Sequence, residues 1–256
     1  MARTTGTDPA QGGIALVVEC GHDKAGRPEA CGRLELRPGE LVAVVGATGS
    51  GKTRLLADIE RLSPGDSPTG RRVTLTGVPA DVVESGFAVA RISQSMQFFL
   101  DLSVAEFLRM HASARGRAEG GGDEVLAWAN RLAGEPFDAS APLATLSGGQ
   151  ARALMIADVV LVGSSPVLLI DEIENAGIDR HAAMDFLGSR DRLVVLATHD
   201  PLMALRADRR LVLAEGGIRK VLKTTKAERA HADRLAVADR EVAELRARMR
   251  AGERLG

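Results

Sequence analysis

Aromatic side chains are nearly missing from this chain: they make up 3% of its 256 residues, tyrosine does not occur, and none precedes Phe87. Cysteine is as rare. Cys20 and Cys31 are too few for a disulfide framework, and with His22 they form a C-x-H…C pattern one ligand short of a closed zinc site. They are expected as unpaired thiols at the ends of neighbouring strands. No apolar run is long enough to cross a bilayer; the longest, near Val159 to Ile170, is broken by Gly163-Ser164-Ser165-Pro166. Residues 1–13 lack the apolar stretch of a signal peptide and are expected as a flexible N-terminus. An excess of one charge is lacking too: 33 basic against 34 acidic side chains leave −1, which marks no nucleic-acid partner. A soluble, cytoplasmic chain is the expectation.

What is present is an ordinary globular balance, 45% hydrophobic and 26% charged, enough for one large domain or two small ones. Short strands are expected over Ile14–Glu19, Arg33–Arg37, Leu41–Val45, Val73–Thr76 and Val89–Ile92. Helices are expected over about 52–62, 103–113, 123–133 and from Ser147-Gly148-Gly149-Gln150 to about Val162. Val167–Ile170 and Leu193–Ala197 are all-apolar and of strand length, as parallel strands covered on both faces would be. With a helix at 179–188 between them, the fold class reads as α/β with a helical insertion. From Lys226 to Arg250 neither glycine nor proline occurs, and Leu235, Val242 and Met249 recur every seven. A charged amphipathic helix over 223–256, packing that stripe on the domain, is the expectation; a docking surface for an acidic partner or anionic lipid is the alternative.

Three motifs carry chemistry. Gly46-Ala47-Thr48-Gly49-Ser50-Gly51-Lys52-Thr53 fits G-x-x-x-x-G-K-[ST] between an apolar strand and a helix, the context of a phosphate-binding P-loop. Its glycines turn successive N–H groups toward phosphates, Lys52 reaches the β- and γ-phosphates, and the Thr53 hydroxyl ligates Mg²⁺. Val167–Ile170 ends in Asp171-Glu172. An aspartate there holds Mg²⁺, and Glu172 is placed to polarise a water for attack on the γ-phosphate. Leu146-Ser147-Gly148-Gly149-Gln150 lies 21 positions before Asp171, counted from Gln150.

Together these residues resemble an ATP-binding cassette (ABC) ATPase over roughly 14–222, with a helical subdomain at about 98–163. The resemblance implies a P-loop NTPase fold with a mostly parallel core sheet, an N-terminal antiparallel β region and a C-terminal helix. It implies ATP and Mg²⁺, and two copies closed head to tail, so that Ser147 and the following Gly148, Gly149 and Gln150 meet the γ-phosphate held by the other copy. By the same resemblance Gln94 is the glutamine that senses Mg²⁺ and the attacking water. Gln97 competes for that role, but the downstream register Phe98–Glu106 favours Gln94. Thr198-His199-Asp200 resembles the switch histidine, and Ala176-Gly177-Ile178-Asp179 occupies the place of the D-loop.

The chain departs from the family pattern in places. No aromatic residue stands upstream to stack adenine, and Arg54 replaces a threonine that touches the α-phosphate. Glu174–Asp179 carries one residue more than usual, Asp158 replaces an arginine, and the span from Asp171 to His199 is short. An outlying branch is implied. No N-K-x-D tetrapeptide supports a GTPase, and only about a hundred residues separate P-loop and signature, too few for the long coiled coil of chromosome-maintenance ATPases. The partner implied first is a separate membrane permease, with the chain peripheral on the inner face; the alternative is a soluble assembly or enzyme-activation complex. A non-hydrolysing nucleotide sensor is disfavoured by Asp171, Glu172 and His199.

Overall fold

The structure, a computed structural model, describes residues 13–93, 98, 100–116, 121–172, 177–188 and 191–254. Gln94, Gln97, Glu174 and Ala176 lie outside the described residues, as do positions 1–12. In chain order the elements are β1 (Ala15–Glu19), β2 (Arg33–Leu36), β3 (Leu41–Val45), α1 (Lys52–Glu60), β4 (Arg72–Thr76), α2 (Ala80–Glu84) and β5 (Val89–Ile92). Next come α3 (Val104–Ala114), α4 (Gly122–Leu132), α5 (Gly148–Leu161), β6 (Val167–Asp171), α6 (Arg180–Gly188), β7 (Leu193–Ala197), α7 (Pro201–Arg206), β8 (Arg209–Ala214), β9 (Gly217–Lys223) and α8 (Lys226–Arg250). Six strands form one sheet in the order β5-β6-β7-β3-β8-β9, parallel except for β9, and β2-β1-β4 form a separate antiparallel sheet. This is the expected mostly parallel α/β architecture with an N-terminal antiparallel region.

Every residue of β6 and β7 is buried, which explains their unbroken apolar runs. On one face of the sheet, α3, α4, α5 and α6 close a core in which Trp128 stacks on Phe186 at 4.2 Å. Ser103 and Glu106 cap α3 reciprocally, and the Ser103 hydroxyl and N–H hold the Glu106 carboxyl below its usual range. On the other face, Leu55, Leu56 and Ile59 of α1 pack with Leu16, Val18, Leu34 and Leu36 of the antiparallel sheet. Beside that layer lies an ionic cluster with no solvent access. Arg71 pairs with Glu29 at 2.6 Å and with Asp58 of α1 at 3.1 Å, and donates to Gly216 O at 2.8 Å.

Two expectations change. Cys20 and Cys31 are joined by a disulfide rather than left as thiols. The pairing Glu19↔Arg33 ends the β1–β2 ladder beside them and sets their Cα atoms 6.2 Å apart, within disulfide reach. Glu29 lies close by and is committed to Arg71 and to the N–H groups of Gly21 and Ile218. The second change concerns α8. It docks through Ala232 and Ala236, with Leu235, against Leu202, whereas Val237, Val242, Leu245 and Met249 remain exposed. Of the expected stripe Leu235 alone packs, and the small alanines beside it allow the close approach to α7. Thr225 N–H, then Arg210 and the Thr225 hydroxyl, hold Glu228 at about 2, fixing the start of α8. No helix among the described residues is long and apolar enough to cross a membrane.

Removing Arg71 would leave two carboxylates buried without their cation. Arg71→Met should therefore cost about 3–5 kcal/mol of stability, read as the urea midpoint and slope. A loss below about 1 kcal/mol, the worth of a surface pair, would contradict this account of the cluster.

Candidate active site

The phosphate-binding loop joins buried β3 to α1, and its shape follows from two close approaches. A Cβ at Gly46 would meet Leu213 O at 2.4 Å, and one at Gly51 would meet the Gly216 Cα at 2.9 Å. Gly51 also caps α1 with φ 105°, a conformation that glycine reaches without strain. Ala47, Thr48 and Gly49 lie open to solvent, as do Thr53 and Arg54 on the first turn of α1. Ser50 is buried, and its hydroxyl has no hydrogen-bond partner. A buried hydroxyl without a partner is costly, so an oxygen-rich group seated in this loop would repair a defect.

Lys52 is buried with only 6% of its surface exposed, and its ammonium donates to Gly46 O at 3.1 Å. Nζ also lies 2.8 Å from His199 Nε2 and 3.8 Å from Glu172 Oε1, while His199 Nε2 lies 2.9 Å from that oxygen. His199 Nε2 either donates to Glu172 or accepts from Lys52, according to its protonation. Glu172 follows β6 with φ 50°, a region uncommon for a side-chain-bearing residue, and its N–H is tied to Ala197 O at 3.0 Å. The strand ends of β6 and β7 thus bring Glu172 and His199 onto the ammonium of the loop. Thr198 is buried, and Asp200 caps α7 through the N–H groups of Leu202 and Met203.

Asp171 does not stand free. Arg91 of β5 donates to its Oδ2 at 3.0 Å and to Glu60 of α1 at 2.7 Å. Sequence reasoning missed this residue; its signal was a lone arginine inside the otherwise apolar Val89–Ile92. Leu146 is half-buried, and Ser147 caps α5 in a reciprocal box with Gln150, with bonds of 2.9 and 3.3 Å. Gln150 also donates to Glu135 O at 3.2 Å, and Ser147 and Gly148 are exposed at the positive end of a 14-residue helix. Of the D-loop segment, Gly177, Ile178 and Asp179 are described; Asp179 caps α6 and its N–H bonds Leu132 O at 2.8 Å. Arg180 then bridges Asp200 to Asp239 of α8.

Comparison with known proteins shows the family and the fold. The family model described as ABC transporter matches residues 32–175. An uncharacterized ABC transporter ATP-binding protein of Methanocaldococcus jannaschii is 44% identical over 240 residues, 92% of each chain. The lipoprotein-releasing system ATP-binding protein of Bordetella pertussis is 29% identical over 72% of this chain and 83% of its own. In fold, the chain is similar to an ATP-binding cassette solved as a post-hydrolysis dimer with ADP and phosphate. The TM-score is 0.63 at 23% identity, over 82% of this chain and 99% of that one. With motifs, fold and a relative matched along nearly its whole length in agreement, this chain belongs to the ABC transporter ATP-binding family and is an ABC-type ATPase.

Proposed function

We propose that two copies of this chain close head to tail around two Mg-ATP molecules and hydrolyse them to drive separate membrane-spanning transporter subunits. One observation carries the reading: Lys52 Nζ, His199 Nε2 and Glu172 Oε1 meet at the mouth of a P-loop whose buried Ser50 hydroxyl has no partner. The residues fit a triphosphate. Lys52 and the Ser50 hydroxyl would donate to phosphate oxygens, joined by the N–H groups that glycines 46, 49 and 51 leave accessible. Thr53 and Asp171 would hold Mg²⁺, with Gln94 assigned to it by resemblance; the bound ion supplies positive charge against the phosphates. Arg54 stands next to that set, beside the α-phosphate by analogy.

Chemistry then falls to this chain's own side chains. Glu172 accepts a proton from a water as that water's oxygen forms a bond to the γ-phosphorus. The bond to the β–γ bridging oxygen breaks, and ADP and phosphate leave. His199 holds Glu172 in place through the 2.9 Å contact and faces the γ-phosphate. Ser147, Gly148, Gly149 and Gln150 of the second copy would present the N-terminus of α5 to the same phosphate, where a helix end favours anions. Membership of a transporter family and the printed name of the archaeal relative support the permease as partner, with the chain at the inner membrane face.

The test is recovery of the Glu172→Gln variant, held in Mg-ATP, from its native cells. ATP-dependent recovery of a polytopic membrane protein is expected; recovery of soluble enzymes alone would overturn the transport reading in favour of an assembly or activation complex. In isolation, Glu172→Gln should keep ATP binding and lose turnover by about a hundredfold or more, as a missing general base does. Turnover near that of the unaltered protein would remove Glu172 from the mechanism. Arg91→Met releases Asp171, so the Mg²⁺ needed for half-maximal ATP binding should fall roughly fivefold. Binding titrated with Mg²⁺ at fixed ATP reads this, and an unchanged midpoint would contradict competition at Asp171.

A further inference from the structure

His199 is anchored through the residues on either side of it. Thr198 is buried, and its N–H donates to Val44 O of β3 at 3.1 Å. Asp200 is buried too, and its N–H donates to the Thr198 hydroxyl at 2.9 Å. One carboxylate oxygen of Asp200, Oδ1, accepts from Leu202 and Met203 N–H at 2.8 and 3.1 Å, which starts α7. The other, Oδ2, accepts from Arg180. Between these anchors the imidazole is 40% exposed, and it lies 2.8 Å from Lys52 Nζ and 2.9 Å from Glu172 Oε1. Its aim at those two groups therefore depends on where Thr198 and Asp200 hold the backbone.

Arg180 opens α6 directly after Asp179, whose carboxylate caps that helix through His181 and Ala182 N–H and whose own N–H bonds Leu132 O at 2.8 Å. The second guanidinium nitrogen of Arg180 pairs with Asp239 of α8 at 2.8 Å. Ala232 and Ala236 of α8 also pack on Leu202, in the first turn of the helix that Asp200 caps. So α8 reaches the segment behind His199 twice, through its packing on α7 and through the Asp239–Arg180–Asp200 chain. The Asp200 side chain is 6% exposed, whereas those of Arg180 and Asp239 are 31% exposed. Water screens the outer pair more than the inner one, so the inner pair carries the larger share of the restraint. We propose that Arg180 is a positioning residue for ATP hydrolysis: through Asp200 it fixes the backbone that aims His199, and Asp239 makes α8 part of that hold. The proposal rests on the role of His199 given above. Both ion pairs of Arg180 lie outside the P-loop, so its effect falls on the chemical step rather than on nucleotide binding.

The experiment measures Mg-ATP binding, steady-state turnover and single-turnover phosphate release in the full chain. Arg180→Met and Asp239→Asn are compared, each with His199 present and with His199→Ala. With His199 present, Arg180→Met should lower kcat roughly tenfold and leave the Mg-ATP dissociation constant within about twofold. Asp239→Asn should lower kcat about threefold, as a partly exposed pair allows, and should add nothing to Arg180→Met. In the His199→Ala background, where single-turnover release reads the slow reaction, neither change should cost more than about twofold. Arg180→Lys keeps a cation on Asp200 and should recover most of the lost kcat. Equal losses with and without His199 would make Arg180 a structural support only and overturn the proposal. So would weaker Mg-ATP binding at unchanged kcat, or a kcat that either variant leaves unaltered. An Asp239→Asn loss that persists in full beside Arg180→Met would remove α8 from the hold. Should Arg180→Met fail to fold, Asp239→Asn carries the same comparison, because it removes only the charge of a partly exposed carboxylate. Unaltered turnover in His199→Ala by itself would overturn the role of His199, and this proposal with it.

Discussion

The fully buried pairing of Arg71 with Glu29 and Asp58 is the interaction on which the rest of the site depends. Stripping water from a guanidinium and two carboxylates costs several kcal/mol per ion, so the cluster depends on the hydrogen bonds its members make to one another and to their neighbours. Arg71 uses its donors on Glu29, Asp58 and Gly216 O, and Glu29 in turn accepts from Gly21 and Ile218. These partners come from the β1–β2 loop, from α1 and from the β8–β9 turn. Gly216 of that turn presses on Gly51, and its N–H bonds Ser50 O at 2.9 Å. The antiparallel sheet therefore braces the P-loop.

A second constraint acts at the mouth of the site. Lys52 and Asp171 are both nearly buried, and an unpaired buried charge is expensive. Each has a stand-in: Glu172 and His199 attend Lys52, and Arg91 attends Asp171. On the function proposed above, nucleotide binding would be an exchange of partners, in which phosphate would take the ammonium and the metal the carboxylate. Such an exchange would free the Glu172–His199 pair from the ammonium when a substrate arrives, and would link substrate binding to the chemistry without a new element. Arg180 extends the same logic outward, because it ties Asp200, next to His199, to Asp239 on α8.

The P-loop, β3, β6 and β7 were legible because each is set by local pattern: glycine spacing, or a short apolar run of strand length. The start of α5 at Ser147–Gln150 was legible in the same way, although the reciprocal cap that fixes it was not read from the sequence. The Arg71 cluster was not, because Glu29 lies 42 positions away and Gly216 lies 145. The disulfide depends on the register of β1 against β2, which no local signal sets. Arg91 reads as an edge-strand charge until β5 is paired with β6, which places it level with Leu169 and within reach of Asp171. On α8 the heptad of large residues suggested a packing face, whereas of these Leu235 alone joins the alanines at 232 and 236 in the contact. Short α7 owes its existence to the Asp200 cap and Pro201 at its first turn rather than to any periodicity.

The central claim is that catalysis needs the P-loop of one copy and the exposed Ser147 helix end of another. Sedimentation of the Glu172→Gln variant, with and without Mg-ATP, tests this most directly when repeated with Ser147→Arg added. The account predicts a monomer without nucleotide, a dimer with Mg-ATP, and a monomer in both conditions once Ser147→Arg blocks the helix end. A species that stays monomeric at saturating Mg-ATP, or a nucleotide-dependent dimer that survives Ser147→Arg, would contradict it.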